Sequence, residues 1–154
     1  MEFNLEFTTD YGQFYISDKN SIGDTGSTDF WNNQAFADKL AVGNDILGVS
    51  IHNEIGMVKC SIAILEMKSS IVDFVDFDHV VEASIRINSG VLQVLDCPFS
   101  EIIKEINLEN GEYRVRVNSI NLKTSYDLNP NDEYKIEIWK EDYSERIVLK
   151  RYLG

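Results

Sequence analysis

A chain of 154 residues with 26 acidic and 14 basic side chains, net charge −12, is long enough to bury a core without metal or disulfide support. Its 44% hydrophobic and 11% aromatic content argues against intrinsic disorder. The acidity argues against direct binding to nucleic acid or an anionic membrane, since phosphate recognition needs clustered Lys and Arg, and no apolar run approaches the roughly 20 residues of a membrane helix.

At the N-terminus Phe3, Leu5 and Phe7 alternate with Glu2, Asn4 and Glu6, the period-2 pattern of a strand with one face in a core. The segment has neither a basic region nor a continuous apolar one. No secretory signal is therefore expected, and the expected setting is cytoplasmic. A second strand follows over 13–17. Residues 18–29 are Asp, Asn, Ser, Gly and Thr with almost nothing apolar, a long loop of the kind that carries function.

Thr28 or Asp29 is placed to cap a helix over residues 30–40, closing at about 41, with Phe36 and Leu40 on one face and Gly43 beyond its end. Thereafter the chain reads as strands separated by turn residues. Runs at 46–52 and 58–67 flank a hairpin-like connection ending in Gly56 and Met57, and runs at 80–87 and 91–95 flank Asn88, Ser89 and Gly90. Further strands are expected near 106–108, 113–117, 134–140 and 146–152. About nine short strands and one helix predict a mainly β protein, an antiparallel β-sandwich forming a single domain over 1–154, with Phe36, Val115, Val117, Ile136 and Ile138 inward.

Cys60 and Cys97 lack CxxC or Cys/His ligand spacing and read as buried free thiols, ahead of a bridge or a reactive nucleophile. His52 and His79 form no triad signature, HExxH or metal pair, and read as strand-end or loop residues. Gly23 and Gly26 lack the GxxxxGK[ST] order of a phosphate cradle. No catalytic residue, metal set or cofactor is therefore expected, and the chain reads as a non-enzyme. Asp73, Asp76 and Asp78 alternate with large apolar groups. They read as a solvated acidic face opposite Phe74 and Phe77, or as donors for a hard cation such as Ca²⁺ if further oxygens converge.

Several segments in order, namely Tyr11-Gly12-Gln13-Phe14, Asp29-Phe30-Trp31, the run 41–51, Asn88-Ser89-Gly90-Val91, the Leu108/Gly111/Tyr113 pattern and the run 132–136, give the chain a resemblance to the ComJ family of competence-associated nuclease inhibitors from Gram-positive bacteria. It departs from that pattern by acidic residues around 73–78 and an extended C-terminus. The resemblance implies a small protein that binds and blocks a DNA-degrading enzyme. A non-catalytic β-sandwich binding module for Ca²⁺, carbohydrate or another protein is the alternative.

The charge is uneven: residues 1–80 hold 13 acidic and 4 basic side chains (−9), and residues 81–154 hold 13 and 10 (−3), which together give −12. With the resemblance, this points to Asp18, Asp24 and Asp29 in the loop and to Asp73, Asp76 and Asp78 as the surface offered to a nuclease or other basic protein.

Overall fold

In the computed structural model, which describes residues 1–154, the alternating segments become eleven strands and one short helix. These are β1 Glu2–Thr8, β2 Gln13–Asp18, α1 Asn33–Asp38, β3 Leu40–Val42, β4 Ile46–Ser50, β5 Met57–Ile64, β6 His79–Ile87, β7 Val91–Leu95, β8 Ile102–Asn107, β9 Gly111–Ile120, β10 Glu133–Lys140 and β11 Ile147–Lys150. A six-stranded sheet, β1-β5-β10-β9-β6-β11, faces a five-stranded sheet, β3-β4-β2-β7-β8. All pairings are antiparallel except β5 with β10. The expected β-sandwich is therefore present, with a mixed first sheet.

Period 2 determines what fills the space between the sheets. Register aligns Val81 with Val117 and Val117 with Ile136, so three adjacent strands send β-branched side chains to the same buried face. Val115, Val117, Ile136 and Ile138 are buried as expected. From the five-stranded sheet Phe14, Ile16, Leu47, Val49, Leu92 and Val94 complete the core. Phe7 meets Phe14 edge-on at 5.4 Å and 89°, a geometry worth about 0.5–1.5 kcal/mol beyond area burial.

Three expectations are corrected. The helix spans six residues and is capped by Asn32, whose Oδ1 accepts the Ala35 N–H at 2.8 Å, not by Thr28 or Asp29. Lys39, at φ 63°, ends it well before Gly43. Phe36 is 61% exposed, because a helix beginning at Asn33 turns Ala35 and Asp38 inward.

Phe30 and Trp31 lie outside the helix and pack on β4 at Gly48. A Cβ there would stand 2.7 Å from Trp31 Cζ2 and 3.0 Å from Phe30 Cε2, so the missing side chain is what seats both rings. Around them Tyr15, Ala35, Ala41, Ile46 and Cys97 form a second apolar cluster on the outer face of the five-stranded sheet.

The two glycine turns expected to make hairpins instead carry the chain between sheets. β4 and β5 lie in different sheets, as do β6 and β7. At the first crossing Gly56 adopts φ 87° with Thr9 O where a Cβ would stand, at 2.2 Å, and accepts the Thr9 N–H at 2.8 Å. Only glycine combines that dihedral with that approach. At the second, Asn88, Ser89 and Gly90 are fixed by distant partners described below.

Candidate partner-binding surface

The turn between β1 and β2 puts Tyr11 at φ 59° and Gly12 at φ 66°, which lifts the Tyr11 ring off the sheet, 80% exposed. Across from it Phe36 stacks on Trp31, centroids 5.1 Å apart. Between them a groove of about 380 Å³ is floored by Gln13 and Ser50 and walled by loop residues 25–28. The Trp31 indole N–H and Gln13 Oε1 are buried here without hydrogen-bond partners. One is a donor and the other an acceptor, and both lie beneath the groove's surface, exceptions to the rule that buried polar atoms are paired. The Asp10 N–H donates to Cys97 O at 3.0 Å, tying the loop that bears exposed Phe99 to this turn.

The loop itself is ordered by short polar bonds. Asp24 Oδ1 accepts the Gly26 N–H at 3.0 Å and Ser27 Oγ the Asp29 N–H at 3.0 Å, the local side-chain turns favoured by these residues. Beneath it Tyr15 donates its hydroxyl to Cys97 Sγ at 3.4 Å. Burial first, and then that bond, push the Tyr15 hydroxyl up to about 12. Cys60 is likewise pushed up to about 12 by burial, so it stays a thiol at neutral pH. Both cysteines are free and buried.

The predicted surface residues separate into three groups. Asp18 is 2% exposed and is no part of an accessible surface, which corrects the expectation. Its Oδ1 accepts the Asn88 N–H at 3.0 Å, the Ser89 N–H at 3.0 Å and the Ser89 hydroxyl at 2.7 Å, while Oδ2 accepts the Asn20 N–H at 3.1 Å. Burial alone would raise its pKa; the hydrogen bonds from Ser89, Asn88 and Asn20 outweigh that and hold the carboxyl below the usual range. Asp24 and Asp29 are exposed on the same loop, where they line a separate recess with Asp45 and Ile46.

Asp73 and Asp76 are exposed in the segment 65–78, which covers the outer face of the other sheet. There Arg116 donates to Ile71 O at 3.0 Å and lies between the rings of Phe74 (5.5 Å) and Trp139 (5.2 Å). Asp78 is half-buried and accepts the Leu122 N–H at 2.9 Å. Phe77 is buried. The fold thus places the two acidic groups on opposite outer layers. No three His, Cys, Asp or Glu side chains converge in a geometry that could hold a metal ion.

Sequence reasoning missed a buried charge cluster beneath that segment. Glu82 takes Arg114 on one oxygen at 3.0 Å and Arg116 on the other at 2.8 Å; Arg114 also reaches Ser144 O and Glu145 O, each at 2.8 Å. The alternating arginines are visible in sequence, but their partner is set by β6–β9 register. His79 is fully buried: with Nε2–H donated to Asp38 O (2.8 Å) and Nδ1 accepting the Tyr152 N–H (3.0 Å), both ring nitrogens are used by the neutral form. Asp38 in turn binds Arg146 at 2.8 Å and Arg151 at 2.6 Å, so the C-terminal segment clasps α1.

No protein-family model matches the sequence, and no curated protein matches it. No helix is long and apolar enough to cross a membrane. Among solved structures, the chain is similar to a protein described as crocagin biosynthetic gene J, with TM-score 0.56 and 14% identity over 92% of this chain and 99% of that one. It is similar to ComJ from Bacillus subtilis, the inhibitor of the DNA degrading activity of NucA, with TM-score 0.67 and 15% identity over 92% of this chain and 98% of that one. Over nearly its whole length, this chain has the ComJ-like fold.

Proposed function

We propose that this chain is a non-catalytic interaction protein that binds and blocks a DNA-degrading enzyme, with the groove between Tyr11, Trp31 and Phe36 as its docking surface. The observation that carries the reading is the fold shared with a nuclease inhibitor across almost the full length of both chains. The groove fits the role in two respects. Exposed aromatic side chains around a recess are the usual anchors of protein interfaces. Asp24 and Asp29, exposed on the adjoining loop in a chain of net charge −12, complement the cationic cleft with which a nuclease grips phosphates.

The test is to titrate this protein against a panel of purified DNA-degrading enzymes that includes NucA, following hydrolysis of a fluorescent DNA duplex. The reading expects stoichiometric loss of hydrolysis for at least one enzyme, without consumption of DNA by this protein itself. Unchanged hydrolysis across the panel at excess protein refutes it.

A further inference from the structure

Beyond the C-terminal end of α1 lies a second cavity, about 610 Å³ in volume, with a different chemistry. Pockets of about 300–1,000 Å³ hold single small ligands. Its walls bring together Lys39, His52, Lys123, Tyr126 and Tyr152. In a chain with 26 acidic and only 14 basic side chains, two lysines here have no carboxylate within ion-pair distance.

Lys39 is half-buried, and the single side-chain partner of its ammonium is His52 Nδ1, at 3.3 Å. An ammonium has three N–H donors, so two of them are left for whatever enters the cavity. The lysine is held in place by backbone rather than by charge, since it ends α1 in the left-handed conformation at φ 63° and its C=O accepts the Ser50 N–H at 3.3 Å.

The aromatic half of the cavity is tied to the fold through His52, with Tyr126 itself 77% exposed. The His52 N–H donates to the Tyr134 hydroxyl at 2.7 Å, and that hydroxyl donates to Asp132 at 2.6 Å. The His52 ring meets Tyr152 at 5.6 Å and 87° and Tyr126 at 6.3 Å and 68°. Other charges nearby are already engaged: Arg151 is bonded to Asp38, and Asp132 accepts from Asn53 and Tyr134. Leu122, Leu153 and Gly154 complete the wall of the cavity.

We propose that this cavity binds a nucleoside monophosphate, the phosphate between the Lys39 and Lys123 ammonium groups and the base against the Tyr126 and Tyr152 rings. Charge-assisted bonds from lysine satisfy phosphate oxygens, and tyrosine faces accept any base by stacking. A polynucleotide is repelled by the net charge of −12, whereas one small dianion needs only the two local cations. Burial first, and then Arg151, hold the Lys39 ammonium below the usual lysine range, and an anion beside it reverses that penalty. The site is independent of the groove and of nuclease binding.

The experiment is a ¹H–¹⁵N NMR titration of the full chain with AMP, with adenosine and inorganic phosphate as parallel arms. Saturable shifts are expected at the amides of Lys39, His52, Lys123, Tyr126 and Tyr152, with AMP binding about tenfold tighter than either fragment. Lys123→Ala, an exposed change, and Lys39→Gln, which keeps a donor for His52, should each weaken AMP about tenfold. Tyr126→Ala should weaken AMP while leaving inorganic phosphate unaffected. Absence of saturable shifts with AMP overturns the proposal. So does unchanged affinity in Lys123→Ala, which decides the matter even if Lys39→Gln does not fold. Phosphate binding as tight as AMP overturns the nucleotide assignment.

Discussion

Asp18 and Ser89, 71 positions apart, are joined twice at one carboxylate oxygen, by the serine N–H at 3.0 Å and its hydroxyl at 2.7 Å. With the Asn88 N–H on the same atom, this fixes the point where the chain leaves β6 in one sheet and enters β7 in the other. Asp18→Ala removes the acceptor of four hydrogen bonds in a largely buried site and should destabilise the fold by about 2–4 kcal/mol in urea unfolding, since hydrogen bonds to charged groups are the stronger ones and lost partners add a desolvation cost.

The same carboxylate makes stability depend on acid. Its folded-state pKa lies below the unfolded one, so the stabilisation is fully present above the ordinary aspartate value of about 3.9 and is lost as the pH falls through the lower folded value. Asp38 has the same sign: burial opposes ionisation, but Arg151, Gln34 and Arg146 prevail. Urea unfolding followed from pH 7 to pH 2 should show this loss at the acid end, with a shallower fall in Asp18→Asn.

A separate loss should begin nearer neutrality. Burial first, and then the positive charge of Lys39, joined at His79 by Arg151, lowers the pKa of both histidines, so the unfolded chain takes up protons first as the pH drops below about 6.5. Stability is complete above that value and declines between it and the lower folded pKa. His79→Gln should flatten this part of the profile, whatever its effect on absolute stability.

Gly48→Ala tests the seat of the groove. The added methyl meets Trp31 at 2.7 Å and Phe30 at 3.0 Å, so the rings must shift and stability should fall by about 1–3 kcal/mol, the usual cost of overpacking. Trp31 emission should change, while Trp139, on the opposite layer against Arg116, reports no change.

Glu82→Ala should be the most damaging of these changes, by about 3–5 kcal/mol, because it leaves Arg114 and Arg116 buried without a counter-charge. Chemical denaturation measures it directly.

Alternation made the strands legible: Phe3, Leu5 and Phe7, Val115 and Val117, and Ile136 and Ile138 all show period 2, and all face the core. What strand patterns do not encode is sheet membership. Asn88, Ser89 and Gly90 have hairpin chemistry, and what makes them a crossing is a carboxylate 70 residues upstream. The helix starts later than its apolar spacing suggests for a related reason, since Phe30 and Trp31 continue that spacing toward Phe36, but their seat is the absent side chain of Gly48. Tyr11 and Trp31 stand among the residues that carried the family resemblance; only the fold shows that they border one groove. Asp18 and Asp24 are indistinguishable as loop acids in sequence, and their different roles follow from which amides lie opposite.

Charge on the loop that walls the groove should act on encounter rate. Asp24→Asn with Asp29→Asn should slow association with the inhibited nuclease and flatten its salt dependence more than neutralising Asp73, Asp76 and Asp78 together, because the latter lie on the other layer. Stopped-flow association at two salt concentrations separates the two surfaces.

The role of the groove is measured by the inhibition constant of a Tyr11→Ala, Phe36→Ala double variant against a nuclease that the native protein blocks. Both rings are largely exposed, so unfolding free energy should stay within about 0.5 kcal/mol per site. Inhibition weakened by about thirtyfold or more is expected, corresponding to loss of interface anchors worth about 2 kcal/mol. An inhibition constant equal to that of the native protein, in a variant of native stability, would contradict it.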